Sequence, residues 1–141
     1  MYPEYLTTPM KQDLTSVGFE DLTTSEQVES ALKKEGVTLL VVNSVCGCAA
    51  GAARPGVKLA LKNAEVKPDH LVTVFAGVDK DAVETARKYL LPYPPSSPSI
   101  AIFKDGDLVH FIERHHIEGR NAQMIAEHLE EAFDEFCSVE A

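Results

Sequence analysis

This chain of 141 residues has no tryptophan and only three cysteines, and the shortage of cysteine excludes a fold that is held together by disulfides. Small secreted domains of that kind need several cysteine pairs, whereas two of the three cysteines here are almost adjacent in sequence. Cysteine usage of this kind favours a reducing compartment. We therefore expect a cytoplasmic protein.

Cationic residues and long apolar runs are also scarce. The chain has 13 Lys and Arg against 22 Asp and Glu, with a formal net charge of -9. Because nucleic acids are bound by clustered cations, this balance excludes a nucleic-acid partner. No apolar run approaches the roughly 20 residues that cross a bilayer, and the first residues resemble neither a signal peptide nor an anchor. We expect no membrane partner.

The chain does have enough apolar residues for one core, since 45% of its residues are hydrophobic. Its length predicts a single domain over residues 1–141, in which residues 1–36 form a helical extension packed on the core. Within the extension, Pro9 suits the first turn of a helix that ends at Gly18.

The spacing of apolar residues changes after a second predicted helix. Thr23 and Glu26 have the spacing of a capping box, and Gly36 is typical of a helix end. Residues 37–42 then form a continuous β-branched and apolar run, which is typical of a strand covered on both faces. We expect this strand at the centre of the sheet.

A helix, a strand and a second helix follow. Residues 49–63 have a helical pattern, which Pro55 is expected to kink. Residues 71–75 form the next apolar run, and Asp79 is placed to cap the helix after it.

The last third of the chain predicts a hairpin and a closing helix. Residues 99–103 and 108–112 are strand-like and are joined by a turn that contains Asp-Gly, so the pair should be antiparallel. Asn121 is placed to cap the last helix. The element order predicts a three-layer α/β fold with a four-stranded mixed sheet between helices and two extra N-terminal helices.

The chemistry-bearing motif is Cys46-Gly47-Cys48, directly after the predicted central strand. A thiol at this corner meets unpaired backbone N–H groups and the positive end of a helix dipole, which favour the reactive thiolate. Cys46 is therefore the expected nucleophile, and Cys48 would resolve the mixed disulfide. Gly47 would provide the backbone freedom that closure of so small a disulfide ring needs. The alternative is a pair of buried thiols that act as small hydrophobes.

Three further residues near the motif have both a functional and an ordinary interpretation. Asn43 and Ser44 could donate hydrogen bonds near the thiolate, although polar residues commonly end strands. Arg54 could stabilise an anion at the site, or it could be a solvated helix residue. Cys137, near the end of the last helix, is more simply a partly buried passenger than a third reactive thiol.

Several stretches together resemble a known group. Cysteines after the first core strand, Pro55 in the next helix and Ser97-Pro98 before a strand resemble the thioredoxin superfamily. Five stretches resemble one family within it, the bacilliredoxins. They are residues 41–51, Arg54-Pro55, 74–77, 95–99 and 117–119. The resemblance implies a thioredoxin-like fold and a cytoplasmic thiol–disulfide oxidoreductase that removes bacillithiol or a similar small thiol from protein mixed disulfides.

The resemblance also implies partners and site residues. The partners are oxidised or S-thiolated proteins and low-molecular-weight thiols, the small thiol is a co-substrate, and no cofactor is tightly bound. Pro98 is expected to follow a cis peptide bond opposite the cysteines, where the backbone of Ser97 would pair with substrate. A loop of cationic residues would approach the cysteines and contact substrate carboxylates, or it is simply exposed. These residues are Arg114, His115, His116 and Arg120.

The chain departs from ordinary thioredoxins, because one residue between the cysteines and the neighbouring tryptophan are missing. Two alternatives therefore stand beside cap removal. One is protein disulfide isomerisation, an activity also described for the family that the chain resembles. The other is metal binding by Cys46 and Cys48 with His115 or His116, although the spacing of a closed zinc site is missing.

Overall fold

The computed structural model describes residues 2–137. Its strands are β1 (Glu20–Asp21), β2 (Val37–Asn43), β3 (His70–Phe75), β4 (Ser99–Lys104) and β5 (Asp107–Ile112). They form one sheet in the order β1-β3-β2-β4-β5. Strands β1, β3 and β2 run parallel, whereas β4 is antiparallel to both β2 and β5. The sheet is mixed, as predicted, with β2 at its centre.

The sheet has five strands instead of the four predicted, and the additional strand is β1. Glu20 pairs with Val72 and Asp21 pairs with Thr73, along the outer edge of β3. Two acidic residues show no apolar alternation, so no sequence pattern indicates this strand. It pairs with the edge of β3 that β2 does not occupy.

Six α-helices and one π-helical segment surround the sheet in residues 2–137. They are α1 (Glu4–Thr15), α2 (Ser25–Leu32), the π-helical segment (Ala49–Ala53), α3 (Arg54–Asn63), α4 (Lys80–Tyr89), α5 (Arg114–Ile117) and α6 (Ala122–Phe136). None of these helices has the length and apolar composition that a membrane span requires.

The buried side chains of β2 alternate between two core groups, one on each face of the sheet. Leu39 and Val41 belong to the group that contains side chains of α1, α3 and α6. Leu40 and Val42 belong to the group that contains side chains of α2 and α4. This arrangement is the three-layer α/β fold expected from the element order.

Helix α1 begins at Glu4 and contains Pro9 in its interior, so the prediction that Pro9 lies in the first turn was wrong. Pro9 has no N–H to donate to the carbonyl of Tyr5, four residues earlier. Both residues are exposed, and water can therefore hydrate that carbonyl.

The capping box of α2 uses Thr24 and Gln27, one residue later than the predicted pair Thr23 and Glu26. The N–H of Gln27 donates to Thr24 Oγ1 at 3.2 Å, and the N–H of Thr24 donates to Gln27 Oε1 at 3.2 Å. Both pairs have the same spacing and suitable residue types, so the sequence could not choose between them.

The caps of α4 and α6 differ in chemistry. Asn121 Oδ1 accepts a hydrogen bond from the N–H of Met124 at 2.8 Å, which confirms the predicted cap of α6. Asp79 occupies the N-cap position of α4 but makes no side-chain cap, and its carboxylate instead accepts a bond from Lys11 Nζ at 2.7 Å. A long-range ion pair therefore replaces the local bond that the sequence predicted.

The hairpin between β4 and β5 is confirmed, with both central residues of its turn at positive φ. Asp105 has φ 52° and Gly106 has φ 88°. Consecutive positive φ values are typical of the tight turns that match strand twist, and Asp-Gly adopts them readily.

The predicted helix over 49–63 is continuous but changes its winding. In the π-helical segment the N–H of Arg54 donates to the carbonyl of Ala49, and Pro55 then lies in the first turn of α3, where its missing N–H is tolerated. Gly56 packs closely against α6, since an added Cβ would lie 2.7 Å from Ile125 Cβ.

Candidate functional site

The cysteine motif lies where β2 gives way to a helix. Asn43 ends β2, a short connection follows, and the π-helical segment begins directly after Cys48. The N–H of Ala49 donates to the carbonyl of Cys46 at 3.0 Å, so the first helical turn forms around this residue. The structure therefore contains the strand-to-helix corner on which the thiolate argument depends.

The two sulfurs are free thiols in direct contact. Cys46 Sγ and Cys48 Sγ lie 2.8 Å apart and share a hydrogen bond, and both residues are half-buried. Such a bond stabilises one sulfur as a thiolate while the other keeps its proton.

The surroundings shift the pKa values of these two thiols in opposite directions. Burial raises the pKa of Cys46, but the hydrogen bond from Cys48, the N–H groups of Cys48 and Ala49 and the charge of Arg114 outweigh it, so the pKa is lowered. Burial also raises the pKa of Cys48, and the hydrogen bond and negative charge of Cys46 raise it further, against the opposing charge of Arg114. Cys46 is the thiol that ionises first.

Gly47 is exposed and leaves open space around the motif. Its φ lies outside the left-handed region, and an added Cβ would have no neighbour within 4 Å. The special backbone freedom expected of Gly47 is therefore not used while both thiols are free.

Asn43 and Ser44 hold the backbone of the connection to the motif. The N–H of Ser44 donates to Asn43 Oδ1 at 2.9 Å, and the N–H of Cys46 donates to Ser44 Oγ at 3.2 Å. Asn43 Nδ2 donates to the carbonyl of Met10 in α1 at 3.2 Å. Within residues 2–137 neither side chain donates a hydrogen bond to a sulfur. The two side chains therefore hold the backbone and do not contact the thiolate as expected.

Arg54 is buried beneath the same connection, with 4% of its surface exposed. Its Nη1 donates to Asn43 Oδ1 and to the carbonyl of Ser44, both at 2.9 Å, and its Nε donates to Asp13 Oδ2 at 3.2 Å. Arg54 is thus neither the solvated helix residue of the ordinary interpretation nor a cation facing substrate. It joins the connection to α1.

Cys46 lies in the wall of a cavity of about 540 Å³. The other lining residues are Tyr2, Ser44, Val45, Ala76, Gly77, Arg87, Ser97 and Arg114. A larger cavity of about 690 Å³ lies beside α1 and α3, and neither Cys46 nor Cys48 lines it. Since thiol chemistry needs an accessible sulfur, the smaller cavity is the candidate functional site.

Ser97 reaches this cavity from the loop before β4, and Pro98 follows it directly. The Ser97–Pro98 peptide bond is cis, as predicted, and Ser97 shares the cavity wall with Cys46. Arg114 Nη1 donates to the carbonyl of Ser97 at 3.2 Å, which links the beginning of α5 to this loop. A second cis bond, Leu91–Pro92, had no sequence signal.

Of the four cationic residues expected near the cysteines, Arg114 alone is among the cavity-lining residues that the structure describes. His115 and His116 are exposed and lie with the half-buried Glu113 in a group whose potential ligand atoms are within 4.8 Å of one another. Across residues 2–137 neither cysteine of the motif joins such a group, so the residues of the alternative cysteine–histidine metal site are not brought together.

Cys137 lies at the end of α6, away from the motif. It is half-buried against the core group that contains Leu39, and burial raises its pKa to about 11. A thiol of this kind is a poor nucleophile at neutral pH, in keeping with the passenger interpretation.

Sequence reasoning missed Arg87, Gly77 and Asp13. Arg87 reaches the cavity from α4, and nothing in the local sequence distinguishes it from the neighbouring Lys88. Gly77 lies in the stretch 74–77 that carries the family resemblance, which was a usable signal. Asp13 is one of several exposed-looking polar residues of α1, and its role depends entirely on where Arg54 lies.

Solved thioredoxins share this architecture. Oxidised mitochondrial thioredoxin 3 of Saccharomyces cerevisiae matches with a TM-score of 0.56 at 17% identity, covering 87% of this chain and 98% of that one. The thioredoxin of Fasciola hepatica matches with a TM-score of 0.57 at 20% identity, covering 84% and 99%. These matches show that the chain has a thioredoxin fold, and the two thiols in contact lie at its strand-to-helix corner.

Sequence comparison gives the family within that class. The family model described as "Disulphide isomerase" matches residues 2–137. The bacilliredoxin of Cytophaga hutchinsonii is 64% identical over 135 residues, covering 96% of this chain and 99% of the relative. That of Bacillus cereus is 53% identical over 140 residues, covering 96% and 97%. The chain belongs to this family of bacilliredoxins and is a thiol–disulfide oxidoreductase.

Proposed function

We propose that this oxidoreductase removes a low-molecular-weight thiol, bacillithiol or a close equivalent, from mixed disulfides with protein cysteines. The carrying observation is that Cys46, in the wall of the 540 Å³ cavity, is the thiol whose pKa is lowered. A cavity of that size suits a small thiol attached to a protein surface better than it suits a folded domain.

In the first step the thiolate of Cys46 attacks the sulfur of the small thiol. A new disulfide forms between Cys46 and the cap, the old disulfide breaks, and the target cysteine leaves as a thiolate that takes a proton from water. The target is thereby reduced, and Cys46 now carries the cap.

Cys48 then resolves this intermediate. While Cys46 is a thiolate, its charge and its hydrogen bond raise the pKa of Cys48. Once Cys46 Sγ is bonded to the cap, that charge is gone, so Cys48 ionises more readily and attacks Cys46 Sγ. The small thiol leaves and is protonated, and the Cys46–Cys48 disulfide remains for reduction by an external dithiol or by two small thiols.

The supporting residues position these groups. Asn43, Ser44 and Arg54 hold the connection to the motif, and Ser97 presents its backbone beside Cys46 for an extended segment of the target. The small thiol acts as co-substrate and no tightly bound cofactor takes part. The proposal places this cycle in the cytoplasm, where a reducing thiol pool would regenerate the enzyme.

Disulfide isomerisation is the second candidate, favoured by the open space around Gly47. Isomerisation begins with the same attack by the thiolate of Cys46, here on a disulfide of the target protein. A target thiol then attacks the mixed disulfide, a new disulfide forms within the target, and Cys46 leaves as a thiolate. Isomerisation therefore does not require Cys48, whereas release of a cap through an internal disulfide does.

The test uses a bacillithiolated substrate protein incubated with the wild type and with Cys46→Ala, Cys48→Ala and Cys137→Ala, followed by mass spectrometry. We expect the wild type and Cys137→Ala to remove the cap, Cys46→Ala to be inactive, and Cys48→Ala to accumulate the cap on Cys46. A wild type that neither removes nor accepts the cap would refute the proposal. Activity in Cys46→Ala would refute the nucleophile assignment.

A further inference from the structure

Two histidine rings from different elements meet away from the cysteine motif. His110 belongs to the edge strand β5 and His128 to α6. Their Nε2 atoms lie 2.9 Å apart, and their ring centroids lie 5.1 Å apart. Both residues are half-buried, and the ring of Phe136 packs against His110 with the centroids 5.9 Å apart. Packing therefore holds the two rings with their Nε2 atoms facing each other.

Two carboxylates share the space beside these rings. A cavity of about 130 Å³ is lined by His110, His128, Glu131, Ala132, Glu135 and Phe136. The charge of Glu135 acts on His110, and that of Glu131 acts on His128. Both glutamates are exposed, so their side chains can rotate toward a group bound between the rings. Glu131 also follows His128 by three residues, and this spacing of His and Glu supplies ligand pairs in helical metal sites.

The separation of the two Nε2 atoms matches the separation of two ligands on one metal ion. Two nitrogens bound to a metal at about 2.05 Å lie about 2.9 Å apart when they subtend a right angle, and about 3.3 Å apart at the tetrahedral angle. The observed 2.9 Å therefore fits neighbouring positions of a tetragonal site without movement of either ring.

The hydrogen bond between the rings leaves a lone pair available. The two Nε2 atoms share one bond, so one ring donates and the other already presents its lone pair. The donating ring can carry its proton on Nδ1 instead, in the other neutral tautomer. Both lone pairs then face the space between the rings, as metal coordination requires.

We propose that His110 and His128, with Glu131 and Glu135, bind a divalent late-transition-metal ion in tetragonal geometry, of the class of Ni²⁺ or Cu²⁺. Imidazole and carboxylate ligands in that geometry suit these two ions. Among the residues that the structure describes, none of these four lines the cavity of Cys46. The bound ion would fasten β5 to α6, and the site is independent of the proposed thiol chemistry.

The exposed group Glu113, His115 and His116 is the competing metal site, but two of its members are already engaged. His116 Nδ1 accepts the N–H of Glu113 at 3.1 Å, and the side chain of Glu113 accepts the N–H of His116. These bonds form the capping box of α5. A metal ion there would have to break the cap, whereas an ion between His110 and His128 replaces one hydrogen bond that joins its own ligands.

The test uses the full chain with Cys46→Ala/Cys48→Ala, because thiolates of the motif would bind metal themselves. Ni²⁺ is titrated at pH 7.5 in competition with a chromophoric chelator, and thermal unfolding is followed at increasing Ni²⁺. We expect one equivalent to bind and the unfolding midpoint to rise with Ni²⁺ concentration, since the unfolded chain does not bring the four ligands together. Zn²⁺, which favours the tetrahedral angle, should bind severalfold more weakly.

Variants in this parent assign the ligands. His110→Gln and His128→Gln should each weaken Ni²⁺ affinity by roughly tenfold or more, and Glu131→Gln/Glu135→Gln should weaken it severalfold. The matched control is His115→Gln/His116→Gln, which removes two exposed imidazoles and should keep the affinity of the parent. Cu²⁺ added to this control should give an electron paramagnetic resonance spectrum with two imidazole nitrogens, a readout that needs no change at His110 or His128.

The proposal is refuted if the parent binds no stoichiometric Ni²⁺. It is also refuted if affinity is lost in His115→Gln/His116→Gln and kept in folded His110→Gln and His128→Gln, which would place the ion at the competing group. Should either single variant fail to fold, a Cu²⁺ spectrum with fewer than two imidazole nitrogens would refute the pair. Zn²⁺ binding more tightly than Ni²⁺ would refute the tetragonal geometry.

Discussion

Cys46 Sγ lies 2.8 Å from Cys48 Sγ, and the site lowers the pKa of the first thiol while it raises that of the second. The same hydrogen bond contributes to both shifts. The two cysteines, which the sequence presents as a nearly symmetrical pair, are therefore chemically unequal before any substrate binds.

This inequality should be visible as selective alkylation. With limiting iodoacetamide at neutral pH, Cys46 should react first, and its rate should titrate below the usual cysteine range. Cys137, whose pKa is raised to about 11, should remain unmodified until strongly alkaline pH. Peptide mapping by mass spectrometry across a pH series measures all three sites, and earlier reaction of Cys48 or Cys137 would contradict the assignment.

Removing Arg54 should destabilise both the fold and the site. Arg54→Met removes one of the two donors to Asn43 Oδ1, which keeps the N–H of Ser44, and the side-chain donor to the carbonyl of Ser44. We therefore expect a loss of about 2–3 kcal/mol in the free energy of unfolding. The rate of Cys46 alkylation should fall as the connection loosens. Urea unfolding measures the first effect and iodoacetamide kinetics the second.

The control for Arg54 is Lys58→Gln. Lys58 Nζ also binds Asp13, at 2.7 Å, but 36% of its side chain is exposed. Its loss should cost less than about 1 kcal/mol and leave the alkylation rate unchanged. Equal effects of the two variants would show that Arg54 acts through its ion pair with Asp13 and not through its hydrogen bonds to the connection before the motif.

Helix packing should make Gly56 intolerant of any side chain. In Gly56→Ala the new Cβ would lie 2.7 Å from Ile125, and separating α3 from α6 should cost about 1–3 kcal/mol. Gly51→Ala, in the π-helical segment of the same helix, places its Cβ in open space and should change stability by less than about 1 kcal/mol. Thermal unfolding compares the two, and equal losses would show that packing against Ile125 is not the cause.

The contact between His110 and His128 should make stability depend on pH. Their Nε2 atoms lie 2.9 Å apart, and burial is the main cause that lowers the pKa of each ring. Glu135 opposes the shift at His110 and Glu131 opposes it at His128. At His128 the positive charges of His110, Arg120 and His116 act with burial, and at His110 that of His116 does.

The sign follows from proton binding. The unfolded chain protonates these rings near the ordinary pKa of 6.5, before the folded protein does, so stability falls as pH drops below that value and is unaffected above it. The urea midpoint should therefore fall between pH 7.5 and 5.5, and by less in the double variant His110→Gln/His128→Gln. Exposed His115→Gln should keep the wild-type pH slope. Identical slopes in the wild type and the double variant would contradict this account.

The sequence predicted most of the fold because its long elements carry their own signals. Strand β2 is a continuous apolar run, and the turn of the β4–β5 hairpin contains Asp-Gly. Strand β1 and helix α5 were not predicted. They have two and four residues, respectively, which are too few to show a periodicity of apolar residues. Their existence depends on neighbouring elements.

The site was predictable at its sulfurs but not at its cations. The position of Cys46 follows from local order along the chain, from strand to motif to helix. The burial of Arg54 and the approach of Arg87 depend on the packing of α1, α3 and α4 around the motif. A charged residue on a helix has the same local pattern whether it ends in solvent, beneath a loop or in a cavity wall.

Helix α1 has a consequence for anyone who wishes to shorten or transplant this domain. It supplies Asp13 to Arg54 and the carbonyl of Met10 to Asn43. A minimal version that began at β2 would keep both thiols and the helix after them, yet it would leave the loop that carries them without its anchor. In engineering terms, the smallest transferable redox unit is the motif together with a helix some thirty residues earlier in the sequence.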